Sequence, residues 1–202
     1  MKMPLLIDLT DKEVIIVGGG KVASRKAQTL SNYSQHIIVI SPTINDAIQV
    51  LVKQHKVVWK RKQFEVGDVE HADFVVAATN QPEVNRQVQL AIPKHTLFNH
   101  ASEAESGDVS FPSTFNRDRL SISVSTDGAS PKLTKYIIEQ LKVLYPSSYA
   151  PFIQFLYTSR QIIKCLNMSH EQKQRLLTQI TELEYLDIAK QQQFLEWLKT
   201  LK

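Results

Sequence analysis

Glu13-Val-Ile-Ile-Val-Gly-Gly-Gly-Lys-Val-Ala-Ser-Arg-Lys-Ala27 decides the fold of this chain: a short β-branched run enters three glycines and leaves as a helical pattern. Gly18, Gly20 and Ala23 occupy the small-residue positions of a G-x-G-x-x-G/A turn, which allow a tight reversal, close backbone approach to a pyrophosphate, and close packing of helix on strand. Val14–Val17 supplies the strand. Lys21–Leu30 supplies the helix, with Val22, Ala23, Ala27 and Leu30 on apolar spacing and no Gly or Pro inside it. Unpaired amides and the dipole at the start of such a helix favour an anion. A glycine loop that only brings a helix close to a strand would share this spacing, so the surrounding chain has to separate the two readings.

Outward from this turn, strands and helices alternate. Ile37–Ile40 reads as a buried strand ending at Ser41-Pro42-Thr43, and Ile44–His55 as a helix. Val57–Trp59, Phe74–Ala78 and Thr96–Phe98 read as further strands, with a helix over Pro82–Ile92 carrying its proline in the first turn. The pattern predicts an α/β fold, a doubly wound parallel sheet (Rossmann-like) over residues 1–112. Beyond Pro112, Leu120-Ser-Ile-Ser-Val-Ser-Thr126 alternates strictly, which predicts one polar and one apolar face. A turn at Asp127–Pro131 leads to a helix over Lys132–Leu144, and from Tyr149 onward the chain reads as helices broken near Asn167–Ser169 and Leu183–Leu186. Ser169 with Gln172 forms a capping-box signature. We therefore expect a small dimerisation segment at 113–146 and a helical C-terminal region at 147–202. A lone alternating strand needs a partner, and the same strand of a second copy would provide it, which predicts a homodimer.

The 202 residues suit one α/β domain with a smaller appendage. No apolar run approaches a bilayer span, and Met1–Leu9 lacks the apolar core of a secretory signal, so the expectation is a cytoplasmic protein with no membrane role. Cys165, the one cysteine, sits in an apolar helical pattern and is expected to pack in a core. The net charge of +4 is mildly basic, but Lys and Arg are scattered without a nucleic-acid-binding signature, which favours a small polyanionic ligand over nucleic acid. Lys60-Arg61-Lys62 reads as solvated surface. The six histidines show no metal-ligand spacing, so no metal site is expected.

No acid follows the second strand where a ribose-binding carboxylate would stand; Ser41, Pro42 and Thr43 occupy that corner, with Asp46 a turn further on. This leaves NAD against NADP open from the ribose corner alone. Ala77-Ala-Thr-Asn80 places small and polar residues, Thr79 and Asn80 among them, at the carboxyl edge of the fourth strand, where ligands bind in such sheets.

Leu6-Ile-Asp-Leu9, the glycine turn, Ala77-Ala-Thr-Asn80 with Val84-Asn85, Phe98-Asn99, Phe111-Pro112-Ser113 and Gly128-Ala-Ser-Pro131, in this order, resemble the siroheme-synthase amino-terminal family. Its members are precorrin-2 dehydrogenases, some of which also act as sirohydrochlorin ferrochelatases. The resemblance implies NAD-dependent oxidation of a tetrapyrrole, precorrin-2, to sirohydrochlorin. By position, Lys21, Val22, Pro42 and Thr43 match the family's NAD-contacting places and Ser130 the serine of its Gly-x-Ser-Pro turn. Ser130 is either a helix cap or a substrate contact, since the helix after Pro131 would offer amides to a carboxylate. Ser130, Asn85, Arg117 and Lys132 are the candidate substrate contacts, with Arg119 and Lys135 as further cations expected to line a cleft for the anionic macrocycle.

Where many family members carry an aspartate, this chain has Ser102. Glu103, Asp108 and His100 are the candidates for proton transfer, with Glu105 a neighbour and His100 equally readable as a structural imidazole. Metal insertion depends more on removing pyrrole protons than dehydrogenation does, so the leading expectation is a monofunctional dehydrogenase. The alternatives are a bifunctional dehydrogenase/ferrochelatase and a non-catalytic NAD-sensing module.

Overall fold

The computed structural model describes residues 2–201, and the chain divides into two units, Met1–Phe111 and Pro112–Lys202. In the first unit, among the described residues, β1 (Glu13–Val17), β2 (His36–Ile40), β3 (Val58–Lys60), β4 (Phe74–Ala77) and β5 (Leu97–His100) form one parallel sheet of order β3-β2-β1-β4-β5. Register runs Val14↔Ile37 on one side of β1 and Val14↔Phe74 on the other, which puts β1 and the glycine turn at the centre, where the strand order reverses.

Helices α1 (Lys21–Leu30), α2 (Asp46–Lys53) and α3 (Pro82–Ala91) follow from that sheet. Val14 and Ile16 turn to one face, against Ala23, Ala27 and Leu30 of α1 and Ile48 and Leu51 of α2. Ile15 and Val17 turn to the other, against Val88 of α3 and Val69. All four are buried, and each removes enough apolar surface from water to contribute roughly 1.5–3 kcal/mol. A strand covered on both faces cannot alternate, which is why β1 reads as a continuous apolar run.

Several boundaries move for local reasons. The helix expected from Ile44 starts at Asp46, because the Asn45 side chain accepts the Ile48 amide and caps it there. Ile44 is left in the loop. Helix α3 stops at Ala91 because Pro93 pushes Ile92 into an extended conformation (ψ 136°).

Lys26 on α1 lies with its ammonium 3.6 Å from the centre of the Phe111 ring, which stacks on Phe74. Burial lowers its pKa from the ordinary 10.5 to about 8. Between those values the unfolded chain holds a proton that the folded chain has released, so this group makes stability rise with pH through that window. Lys26→Met removes the titration: its melting-temperature advantage over the parent should be largest near pH 7 and shrink toward pH 10. A difference independent of pH, followed by calorimetry, would sink this account.

The second unit begins with a hairpin. Strand β7 (Leu120–Val124) pairs antiparallel with β6 (Ser113–Arg117) in register Phe115↔Ile122, so the alternating strand finds its partner in its own chain and not in a second copy. Ser113-Thr-Phe-Asn-Arg117 has one large apolar residue, Phe115, and its period is unreadable without the pairing. Asp118 takes φ 53° at the reversal, a conformation that Asp tolerates through local hydrogen bonding. Helix α4 (Pro131–Leu144) packs on both strands.

The tail forms α5 (Tyr149–Cys165), α6 (His170–Gln179) and α7 (Ile188–Thr200), with the Ser169/Gln172 capping box formed in both directions. Their core is aromatic: Phe155 stacks on Tyr185 at 5.2 Å and meets Phe194 edge-on at 5.9 Å. Cys165 is exposed, contrary to the expected core position. Ile163 and Leu166 face the core, and Cys165, about 200° around the helix from Ile163, faces away.

Candidate functional site

A cleft of about 800 Å³ opens at the carboxyl edge of the parallel sheet, entirely within the first unit. Gly18–Gly20 form its floor. The three glycines do three different things. Gly18 takes φ +127°, and a Cβ there would lie 2.4 Å from the Ala78 carbonyl oxygen, so β1 and β4 can close only around hydrogen. A Cβ on Gly19 would lie 1.8 Å from the Thr43 carbonyl oxygen. That pair is drawn together by the hydrogen bond from the Asn45 amide to the Gly19 carbonyl, at 3.0 Å. A Cβ on Gly20 would meet nothing within 4 Å: this glycine packs on no protein atom and leaves space at the start of α1. No side chain caps that helix start, so its first amides face the cleft uncapped.

Of the residues expected at a coenzyme, Gly18, Gly20, Lys21, Val22, Pro42, Thr43, Thr79 and Asn80 all line this cleft. Ala23 lies beneath it, fully buried, and lets α1 approach the sheet. Asp46 sits in the first turn of α2, outside the lining. Gln63 and Phe64, after β3, and Gln87, on α3, line the cleft unanticipated. Their place past the carboxyl end of a parallel strand was the signal for the first two.

Asn85 is buried, and its side-chain amide makes three hydrogen bonds to Thr79 in the β4–α3 turn. The side-chain oxygen accepts from the Thr79 amide at 3.1 Å and from the Thr79 hydroxyl at 2.8 Å, and Nδ2 donates to the Thr79 carbonyl at 3.2 Å. It shapes the Thr79–Asn80 wall of the cleft.

The loop after β5 holds the acid/base candidates. Asn99 Nδ2 donates to the Val109 carbonyl at 2.7 Å, and the Val109 amide donates to the Phe98 carbonyl at 2.9 Å, so the loop folds back along β5. Gly107 is confined by the same return, since a Cβ there would stand 2.8 Å from the His100 backbone nitrogen and from the Phe98 carbonyl oxygen. Asp108 is thereby held between two anchored residues with its carboxylate exposed. His100 is buried, and its Nδ1 accepts the Glu103 amide at 3.0 Å with the Ser102 hydroxyl at 3.4 Å. An accepting Nδ1 assigns the ring proton to Nε2 in the neutral imidazole. Glu103 is exposed and accepts from the Ser106 hydroxyl at 3.0 Å. Of these three residues, His100 and Glu103 are joined, through the Glu103 backbone amide.

The remaining candidates belong to the second unit. Ser130 caps α4, accepting the Leu133 amide at 3.1 Å, and Lys132 projects an exposed side chain from the first turn. Arg117 is partly committed: Nε donates to the Tyr145 carbonyl at 2.9 Å, and Nη1 to the Asn116 carbonyl at 3.0 Å. Arg119 lies 3.7 Å over the Tyr157 ring. Among the described residues no cluster of His, Cys, Asp and Glu is arranged to hold a metal, and no helix is long and apolar enough to cross a membrane.

Comparison with known proteins agrees along the whole chain. Residues 5–113 match a family described as putative NAD(P)-binding, residues 117–143 the sirohaem biosynthesis protein central family, and residues 149–194 the SirC C-terminal domain. A precorrin-2 dehydrogenase of Priestia megaterium is 38% identical over 199 residues, 98% of each chain. A precorrin-2 dehydrogenase of Bacillus subtilis is 33% identical over 79% of this chain and 98% of its own length. The siroheme synthase of Zymomonas mobilis is 31% identical over 80% of this chain, which is 35% of that longer protein. A solved structure of SirC, precorrin-2 dehydrogenase, superposes with a TM-score of 0.86 at 37% identity, covering 98% of this chain and 99% of that one.

Proposed function

Because this chain belongs to the precorrin-2 dehydrogenase family, we propose that it oxidises precorrin-2 to sirohydrochlorin with NAD, in siroheme biosynthesis. It is an NAD-dependent oxidoreductase. The observation that carries this reading is the end-to-end match to a dehydrogenase of the same fold, with similarity spread across both units.

The residues of the cleft fit the coenzyme. At Gly20 a Cβ would meet no protein atom, so the space above the uncapped start of α1 is open to a pyrophosphate. Gly18, Gly20, Lys21 and Val22 would hold its phosphates, with Ala23 packing the helix beneath them. Pro42 and Thr43 would contact the coenzyme at the corner after β2, and Thr79 and Asn80 at the turn after β4, which Asn85 keeps in shape. When bound, the coenzyme supplies a hydride acceptor. Ser130, Lys132 and the remaining donor capacity of Arg117 are assigned to the substrate's carboxylates. Asp108 and Glu103 are the exposed bases of the β5 loop for the proton that leaves with the hydride. His100, with Nδ1 engaged, would serve as an Nε2–H donor. Positioning of the two reactants supplies most of the rate in this reading.

Anaerobic incubation of the purified chain with precorrin-2 and NAD should produce sirohydrochlorin and NADH together, followed by absorption. NAD binding without sirohydrochlorin formation would reject the dehydrogenase reading and favour a sensing role. Ser102 at the family's aspartate position supports monofunctionality: iron or cobalt should enter sirohydrochlorin no faster with the protein than without it.

The proposal includes a cytoplasmic homodimer acting on a small-molecule tetrapyrrole, with no nucleic-acid or membrane partner. Pairing of β7 with β6 removes the strand argument for a dimer, and α4 offers another. Leu133, Tyr136, Val143 and Leu144 are 49%, 62%, 77% and 65% exposed. At about 100° per residue they fall within one sector roughly 100° wide, an apolar stripe of the kind that marks an association surface. Sedimentation should give a dimer for the parent and a monomer for Leu133→Asp/Tyr136→Glu. A variant that stays dimeric places the interface elsewhere.

A further inference from the structure

We propose that the coenzyme site accepts the 2′-phosphorylated coenzyme, NADP, as well as NAD, with Arg61 as the residue that favours the extra phosphate. The proposal rests on the reading that the cleft holds a nicotinamide dinucleotide. Selectivity for NAD in such folds comes from a carboxylate after the second strand, which accepts from the ribose hydroxyls and repels a 2′-phosphate.

The residues lining this cleft include no Asp or Glu, and their one full charge is the ammonium of Lys21. The corner after β2 is Ser41-Pro42-Thr43. Ser and Thr hydroxyls both donate and accept, so they serve a ribose hydroxyl or a phosphate oxygen equally.

The strand end that carries Lys60 and Arg61 is tied to that corner, although neither side chain is among the lining residues. The Ser41 amide donates to the Lys60 carbonyl at 3.3 Å, and the Trp59 indole N–H donates to the Ser41 carbonyl at 2.9 Å, tying the end of β3 to the end of β2. The Arg61 guanidinium lies 5.7 Å over the same Trp59 ring and is exposed. Lys62 is committed elsewhere, to Glu65 at 2.9 Å and Asp68 at 3.1 Å. A solvated surface accounts for the exposure of Lys60 and Arg61. It does not account for a lining without a carboxylate.

Titration calorimetry and thermal-shift measurements on the full chain, with NAD and NADP separately, test this without turnover. The dissociation constants should agree within about tenfold, where a carboxylate facing a 2′-phosphate would separate them by about a hundredfold or more. Arg61→Gln should weaken NADP at least about fivefold and leave NAD unchanged, since a guanidinium–phosphate bond is charge-assisted. Thr43→Asp should raise the NADP-to-NAD ratio of dissociation constants by more than about thirtyfold, by introducing the repulsion. NAD binding with NADP more than about a hundredfold weaker overturns this proposal alone. An Arg61→Gln variant that weakens both coenzymes equally, or neither, also overturns it. If neither coenzyme binds the parent, the coenzyme reading itself fails.

Discussion

Gly20→Val should bind NAD at least about a hundredfold more weakly than the parent while melting within about 4 °C of it. The two effects separate because Gly20 faces the ligand and not the protein. Its backbone, at φ −87° and ψ −167°, lies in the extended region that valine prefers, and an added Cβ meets nothing within 4 Å. The cost to folding is the poorer helix start, about 1 kcal/mol. A branched side chain at that point fills the space over the first amides of α1. Loss of two charge-assisted hydrogen bonds to a phosphate, at about 1.5–3 kcal/mol each, already exceeds a hundredfold in affinity. Calorimetric titration and a melting curve on the same sample measure both quantities. Retained NAD affinity would show that the coenzyme does not use this turn, and a collapsed melting temperature would show that Gly20 has a packing role the structure lacks.

What was legible in the sequence follows from the range of the forces involved. The β1–turn–α1 unit is specified by neighbours: four buried aliphatic residues, three glycines and a helical apolar stripe, so its bounds could be read almost to the residue. The parallel sheet was legible for the same reason, because two-sided burial leaves continuous apolar runs. Strand β6 was not, since its one buried side chain acquires a period only when Ser113–Arg117 is laid against Leu120–Val124. Cys165 was misplaced because an apolar run inside α5 does not say which side of the helix will meet Tyr185 and Phe194.

The candidate site divides along the same line. Residues within the glycine turn and immediately after β2 and β4 could be named, because a parallel strand delivers them to the ligand edge wherever it sits. Gln63 and Phe64, past the end of β3, carried the same signal, whereas Gln87 comes from α3, whose approach depends on the finished sheet. Asn85 could be singled out but not understood: its bonds to Thr79, six residues back, turn a candidate contact into a brace for the cleft wall. The acid/base candidates were legible as a loop, and the anchoring of Asp108 by Asn99 and Gly107 emerges only once that loop returns along β5.

Gly19 is the sharpest case of a residue whose meaning is tertiary, and Gly19→Ala carries the largest expected cost to folding. By its place in the motif it is a spacer between two required glycines. In the structure its missing side chain is required by the loop after β2, twenty-odd residues on. A methyl group 1.8 Å from the Thr43 carbonyl oxygen and 2.8 Å from Ser41 Oγ cannot be relieved by a side-chain rotation, because the first of these atoms is backbone. Relief requires moving the β2–α2 loop, which breaks the bond from the Asn45 amide to the Gly19 carbonyl and disturbs the Asn45 cap on α2. Overpacking that forces backbone movement costs on the order of 3 kcal/mol, here with a lost hydrogen bond and a weakened cap of about 1 kcal/mol each. The expected fall in melting temperature is about 10 °C or more. NAD affinity should fall with it, because Pro42 and Thr43 move with the loop. The contrast with Gly20→Val is the decisive measurement: one glycine lost at the expense of binding, its neighbour at the expense of folding. A Gly19→Ala protein that melts within about 2 °C of the parent would place the Thr43 carbonyl away from the turn and undo this account of the cleft floor.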